Sequence, residues 1–458
     1  MSLAPSQETL WEYMSYFSPD NPADARINLM ESFRIEGDLD VAALASAVTD
    51  AAWRQDALRL RFADLSRNPK MYLASGAEVP FTSVDVRDLS GEEQRLHVWQ
   101  LINDERYRLF DFVVGPLWSV VLVRIADSTY ILTVNLSHAI ADGASLGVLL
   151  GDIREAYLHR AGRKQAPPEL SVGFVDLARE QAAGQSGQGG KEEYWRSRLS
   201  GRDARLIFPV TGSGAETALT HEAMYPFEFP QRMVEVLPAV ALRARIAPFA
   251  ALLGAYAVSL ALRTGHDDLV IGTVTGGRDL PGSQYLVGQF TNNVYVRAEV
   301  RPGATVGEAV RQVANEFRLA VRNVASFKTI ASAANPKFCD ERPWPFFHLY
   351  DAWFQQLVPD RNPEFPGFAV EKVTANYSPQ AAPAGKQAWS MSADAPARLP
   401  VWMKRGAPAV MVNSDGSGGF VVHSPRFYSV ETVAEIVSGY LRTLSAFLDD
   451  PGRRVAEM

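Results

Sequence analysis

Asn135-Leu136-Ser137-His138-Ala139-Ile140-Ala141-Asp142-Gly143 is the stretch that decides how the rest of this chain is read. Upstream, Tyr130-Ile131-Leu132-Thr133-Val134-Asn135-Leu136 is rich in β-formers and puts Tyr130, Leu132, Val134 and Leu136 on one face of a strand. Downstream, Leu146, Leu149, Leu150, Ile153 and Tyr157 recur at helical spacing, with Ser145 as the candidate N-cap. One imidazole and one carboxylate therefore stand at a strand-to-helix junction, beside Gly143, which is expected to let the backbone turn. Junctions of this kind expose side chains at the end of a sheet, where chemistry is often done.

The 458 residues exceed one ordinary core, so two domains or lobes are expected. Lys and Arg total 45 against 52 Asp and Glu, a net charge of −7 that argues against a nucleic-acid surface. The one cysteine, Cys339, excludes an internal disulfide framework and suits a reducing compartment. No apolar run reaches the roughly 18–20 residues of a spanning helix. The N-terminus lacks a basic region leading into an apolar core. A cytoplasmic protein with no membrane association is the expectation.

Apolar periodicity predicts helices over Gln7–Phe17, Val41–Trp53 (capped by Asp40), Glu92–Tyr107, Lys191–Leu199, Pro248–Arg263, Val306–Val324 and Val430–Leu448. Strands are expected over Asn28–Glu36, Leu269–Val274 and Val294–Val300, with a hairpin around Ala126-Asp127-Ser128. The Gly/Gln/Ser-rich run Ala182–Gly190 reads as a linker. The expected division is an N-terminal lobe over 1–180, a linker and connecting helix over 181–200, and a C-terminal lobe over 201–458. Residues 376–408, rich in Pro and Ala, are expected to be irregular. Both lobes mix helices and strands, so the fold class is α/β, as a pair of α+β sandwiches.

His138 and Asp142 are four residues apart, a spacing that on a helix suits a metal, but no third ligand is nearby in sequence and no metal is expected. A neutral imidazole titrates near physiological pH and can take a proton from an attacking amine or alcohol. Asp142 either orients that ring or pairs with an arginine and holds the turn; its position in sequence does not choose. His348 and His423 sit in no such pattern and are read as structural or exposed.

Ser137-His138-Ala139-Ile140-Ala141-Asp142-Gly143 resembles the HHxxxDG signature of condensation domains of nonribosomal peptide synthetases, and more broadly the HxxxD signature of the carrier- and coenzyme A-dependent acyltransferases. Ser6-Gln7-Glu8-Thr9-Leu10-Trp11 resembles the family's opening motif, and Arg54-Gln55-Asp56-Ala57-Leu58-Arg59-Leu60-Arg61-Phe62 its RHExLRTxF segment. Phe174-Val175-Asp176-Leu177-Ala178 resembles YxDYA, and Tyr194–Gly201 the YWxxxLxG helix. Ile271–Arg278 followed by Val287–Asn293 resembles the IGxxxxGR and VGxFVNT pair. These segments keep the family's order over nearly the whole chain.

Two departures stand out. The family's first motif histidine is Ser137 here, which weakens the case for ordinary peptide-bond formation; the position usually assigned to catalysis is kept as His138. Ala325–Ile330 stands where the family has a HQDxPFE-like stretch. The aromatic-rich run that follows (Trp344, Phe346, Phe347, Tyr350, Trp353, Phe354) is read chiefly as core of the second lobe.

The resemblance implies two chloramphenicol-acetyltransferase-like lobes in a V-shaped pseudo-dimer with a central substrate tunnel. It implies a free-standing acyltransferase of natural-product biosynthesis that joins a thioester-bound acyl or aminoacyl group to a small-molecule amine or alcohol. His138 would be the catalytic base; Asp142, Gly143 and Arg278 would support the active loop, with Arg59 a second candidate partner for Asp142. Ser137, Asn292 and Asn293 are tunnel candidates, and backbone N–H groups near Gly143 are candidate oxyanion donors. No cofactor is expected on the chain itself; the donor would ride on the phosphopantetheine of an acyl or peptidyl carrier protein, or on coenzyme A. A monomer is expected. The alternatives are a coenzyme A-dependent O-acyltransferase and a non-catalytic homologue that recruits partners to a synthetase.

Overall fold

The computed structural model describes all residues except 18–21, 64, 66–68, 77–78, 184–188, 202–206, 209–210, 213–222, 336–348, 359–362, 374–407 and 426. Trp344, Phe346, Phe347, His348, Cys339, part of the expected linker and most of the expected irregular stretch therefore lie outside the described residues. The chain divides into two compact units. One comprises Met1–Ser186, Gly276–Thr291 and Asp360–Ala395; the other comprises Gly187–Thr275, Asn292–Pro359 and Pro396–Met458. The first passage between units falls inside the expected linker, and the chain then returns twice to the first unit.

The first unit contains helices α1 (Pro5–Phe17), α2 (Val41–Arg54), α3 (Gly91–Arg106), α4 (Gly143–Arg160) and α5 (Phe174–Ala183). Its strands are β1 (Asn28–Glu36), β2 (Leu60–Phe62), β3 (Met71–Leu73), β4 (Phe81–Asp85), β5 (Trp118–Ala126), β6 (Thr129–Ser137) and, from the second return, β11 (Ala369–Lys372). Its five-stranded sheet runs β11-β1-β6-β5-β4. β6 lies at the centre, antiparallel to β1 and β5, while β4 joins β5 in parallel. The β5–β6 hairpin turns through Asp127 and Ser128, as its Ala126-Asp127-Ser128 signature predicts.

The alternation of β6 is an incomplete guide, because the strand is buried on both faces. Ile131 packs with Val121 and Val123 against Val98 and Ile102 of α3. Leu132, Val134 and Leu136 point the other way and are also buried. Polar residues on the α3 side bond internally: Thr133 pairs its hydroxyl with Ser32 at 2.9 Å, and Asn135 Nδ2 donates to the Glu105 carbonyl at 2.5 Å. Helix α2 starts where expected, with the Asp40 carboxylate accepting from Ala43 N at 2.9 Å.

The second unit contains α6 (Gly189–Leu199), α7 (Gln231–Ala244), α8 (Pro248–Thr264), α9 (Val306–Arg322), α10 (Phe327–Ala334) and α11 (Val430–Asp449). Strands β7 (Ala223–Glu228), β8 (Asp268–Thr275), β9 (Asn292–Glu299), β10 (Ala352–Gln356), β12 (Ala409–Val412) and β13 (Gly418–His423) form a mixed sheet in the order β7-β13-β12-β10-β8-β9. Every residue of α8 from Ala250 to Ala261 is buried, which explains its lack of a polar face. Phe354 lies in the same core and rests on Tyr256 with ring centroids 5.2 Å apart; Tyr350 and Trp353 are buried beside each other. No single helix among the described residues is long and apolar enough to cross a membrane.

The first return, Gly276–Thr291, closes on itself at close range. Gly277 has φ +62°, and a Cβ there would lie 2.1 Å from the Phe290 carbonyl oxygen. Neither the backbone conformation nor the space admits a side chain. Gly277→Ala is expected to lower unfolding free energy by about 2 kcal/mol. Urea denaturation checks this, and a variant as stable as the parent would show that the segment is not seated so tightly.

Candidate active site

His138 follows the last residue of β6 and opens a short 3-10 turn, His138–Ile140. Its own N–H donates to the Ile27 carbonyl at 2.8 Å, and its carbonyl accepts from Ala141 N at 3.4 Å. Ser137 ends the strand, buried, and its hydroxyl accepts from Ala139 N at 3.4 Å, capping the turn. The side chain that replaces the family's first histidine thus takes a backbone-holding part.

Asp142, and not Ser145, is the N-cap of α4. One oxygen of its buried carboxylate accepts from Ser145 N at 3.1 Å and from Ser145 Oγ at 2.9 Å, while Asp142 N donates back to Ser145 Oγ at 3.1 Å. This is a reciprocal capping box in which Ser145 supplies the N3 partner instead of the cap. Gly143 is the first helical residue and does not lie in the left-handed region, so the turn needs no glycine conformation there. Its N–H, one of the first in the helix, has no intrahelical acceptor.

The same carboxylate answers the question that the sequence leaves open. Arg278 donates to Asp142 Oδ1 at 2.6 Å and to Ser145 Oγ at 3.1 Å. Its other terminal nitrogen donates to the carbonyls of Ser283 and Leu286 at 2.6 and 2.8 Å. The guanidinium lies 4.5 Å from the centroid of the Phe290 ring. Phe290 N donates to Asp142 Oδ2 at 3.2 Å, and Ser145 Oγ is within 3.0 and 3.1 Å of the Gly288 carbonyl and N–H. Arg59 lies instead over the Trp53 ring, at 5.2 Å.

No hydrogen bond of ordinary geometry reaches the imidazole from the described residues. Nδ1 of His138 is buried without a partner, yet the residue as a whole is only half-buried, so its exposed part lies away from Nδ1. Burial holds its pKa below the ordinary 6.5, against weaker opposing pulls from backbone carbonyls and the Asp142 charge. Burial therefore favours the neutral form of a ring with one nitrogen closed off, and no carboxylate among the described residues is bonded to it.

Segments named in the sequence for other reasons converge here. Gln7 Nε2 donates to the Ala139 carbonyl at 3.2 Å, and Ser6 Oγ to the Gln289 carbonyl at 2.6 Å. Gln55 accepts from Val287 N at 2.9 Å and donates to Tyr285 O at 3.0 Å and to Asp152 at 2.6 Å. Asp56 accepts from the N–H groups of Phe174 and Val175 at 2.9 and 3.0 Å, capping α5. Asn292 and Asn293 begin β9 in the second unit. His423 ends β13 in that unit with both ring nitrogens buried and unpartnered.

Asp142→Asn is expected to cost about 3–5 kcal/mol of stability, because it leaves the Arg278 cation buried without its counter-ion. Removing Arg278 as well, as Arg278→Met in the Asp142→Asn background, should cost much less than the sum of the two single changes. A chemical-denaturation cycle reads this, and additive losses would mean that the pair does not act as a unit.

The chain matches the family model "Condensation domain" over residues 1–334. It is 28% identical over 312 residues to the phosphinothricin tripeptide synthetase PhsC of Streptomyces viridochromogenes, covering 67% of this chain and 28% of that one. The chain thus spans under a third of the length of the curated relatives it matches. Among solved structures, the X-domain from teicoplanin biosynthesis superposes with TM-score 0.73 at 22% identity, covering 100% of this chain and 97% of that one. That X-domain has also been solved in a complex with OxyB. SgcC5 of Streptomyces globisporus superposes with TM-score 0.71 at 19% identity, covering 99% of this chain and 100% of that one. The fold is that of condensation-domain structures, and the chain belongs to the condensation-domain family of natural-product synthetases.

Proposed function

We propose that the chain transfers an acyl or aminoacyl group from a pantetheine thioester to a small amine or alcohol, giving an amide or an ester. The observation that carries this reading is the His138 ring: only half-buried, closed at Nδ1, placed at the end of β6, and biased by burial toward its neutral form. Nε2 takes the proton of the N–H or O–H group as the nucleophile attacks the thioester carbonyl. The tetrahedral oxyanion then collapses, the C–S bond breaks, and the imidazolium returns its proton to the leaving thiolate. Holding donor and acceptor side by side supplies much of the remaining acceleration. The N–H of Gly143, at the positive end of α4, suits an oxyanion.

Intact-mass spectrometry of acyl-loaded carrier protein, with candidate acceptors and with acyl-coenzyme A as a parallel donor, tests this. His138→Ala should fold and lose at least about a hundredfold in product formation. Nearly intact turnover would remove the imidazole from the chemistry. The rate should also carry a pH signature. Because the folded-state pKa of His138 is depressed, the base form persists below pH 6.5, and kcat/KM should begin its acid fall only below that value. An acid limb centred above 6.5 would contradict the burial argument.

A second reading is a non-catalytic partner-recruiting domain, favoured by the fold neighbour solved with OxyB and by Ser137 in place of the first motif histidine. Capture of a tight synthetase-associated partner, with no acyl transfer from either donor, would decide for it.

A further inference from the structure

Helix α1 carries an interaction that the chemistry proposed above does not use. Gln7 is buried in its first turn, and its amide is engaged at both ends: Oε1 accepts from Ala4 N at 3.1 Å, and Nε2 donates to the Ala139 carbonyl at 3.2 Å. The first bond is local and caps the helix. The second crosses 132 residues of chain and ends on the carbonyl of Ala139, the residue that follows the base, in the Ala139–Ile140 peptide.

Its significance lies in what His138 lacks. In many acid–base sites the far nitrogen of the imidazole is fixed by a carboxylate or a carbonyl. Here Nδ1 has no partner, and Asp142 is occupied by Ser145, Arg278 and Phe290. Among the described residues no hydrogen bond holds the ring, so its direction depends on packing and on the backbone that bears it. That backbone has few external fastenings: His138 N on the Ile27 carbonyl, and the Ala139 carbonyl on Gln7. The first sets where the turn leaves the sheet. The second pins the Ala139–Ile140 peptide inside the 3-10 turn, and with it the turn from which the His138 side chain projects.

We infer that Gln7 is a positioning residue for His138, acting from a different element through the Ala139 carbonyl. This rests on the proposed role of His138, but its test does not need that role to be correct. Gln7→Glu keeps the oxygen that caps α1 and, when ionised, sets a carboxylate oxygen in place of the donor to Ala139, so the helix retains its start while the tie to the turn is lost. Gln7→Met removes both bonds at nearly constant volume. Ser6→Ala, one residue away and equally buried, removes the tie to Gln289 instead and controls for a general loosening of α1.

The readouts are the His138 ring-proton resonance, assigned by its loss in His138→Ala, and the split between kcat and KM. Both Gln7 variants should shift that resonance, whereas Ser6→Ala should leave it in place. In Gln7→Glu the difference from the parent resonance, compared at the same pH, should shrink as the pH is lowered and the carboxyl regains a proton to donate. With an active donor–acceptor pair, kcat should fall about five- to tenfold in both Gln7 variants, with KM within twofold, the size expected for one hydrogen bond. Should Gln7→Met not fold, Gln7→Glu still decides. An unshifted His138 resonance in folded Gln7→Glu, or an equal shift in Ser6→Ala, overturns the inference whatever the protein's activity. A shifted resonance in a protein with no transferase activity would retain it and sink the proposed chemistry instead.

Discussion

The carboxylate of Asp142 is the point on which this site depends. It accepts hydrogen bonds from Ser145 N, Ser145 Oγ, Arg278 and Phe290 N. Those donors belong to a helix start and to a segment that comes back after more than a hundred residues. A charge so deeply buried is tolerable only when paired and fully bonded, and here both conditions are met. The same group caps α4, neutralises Arg278 and seats the returning loop. The turn that bears His138 is therefore fixed at its far end by groups from two stretches of chain.

This arrangement explains the four-residue spacing between the imidazole and the carboxylate. His138, Ala139 and Ile140 form one 3-10 turn, Ala141 is extended with φ −149° and ψ 154°, and Asp142 begins the next helix. The spacing does not place both side chains on one helical face. It leaves room for one tight turn and one reversal between a base and its anchor. The two residues consequently have separate duties, with Asp142 holding the scaffold and His138 left without a bonded partner. A serine-protease-like pairing, in which an aspartate stabilises the imidazolium, is not built here. The neutral ring follows from desolvation instead.

Much of the fold was legible because its long elements have strong periodicity. Helices α2, α9 and α11 and strands β8 and β9 lie within a few residues of where their apolar patterns put them. Helix α7 escaped notice because Pro238 stands inside it, and a proline argues against helix in any local reading. Strands β4 and β11 are short sheet edges with exposed or half-buried residues and little apolar signal. The site was legible in part. The HxxxD pattern located the turn, and a partner for Asp142 was sought among Arg278 and Arg59. Ser145 misled as a cap, because a capping box reads the same at its two polar ends. The part of Gln7 was invisible because its acceptor is a backbone carbonyl, which leaves no trace in the residue type at position 139.

The most direct measurement is an NMR titration of the His138 imidazole in the unmodified protein. A ring kept neutral by its surroundings, with Asp142 bound elsewhere, should pick up its proton below pH 6.5. A midpoint at or above 6.5 would mean that a carboxylate stabilises the imidazolium. It would contradict the division of labour between His138 and Asp142 on which this account stands.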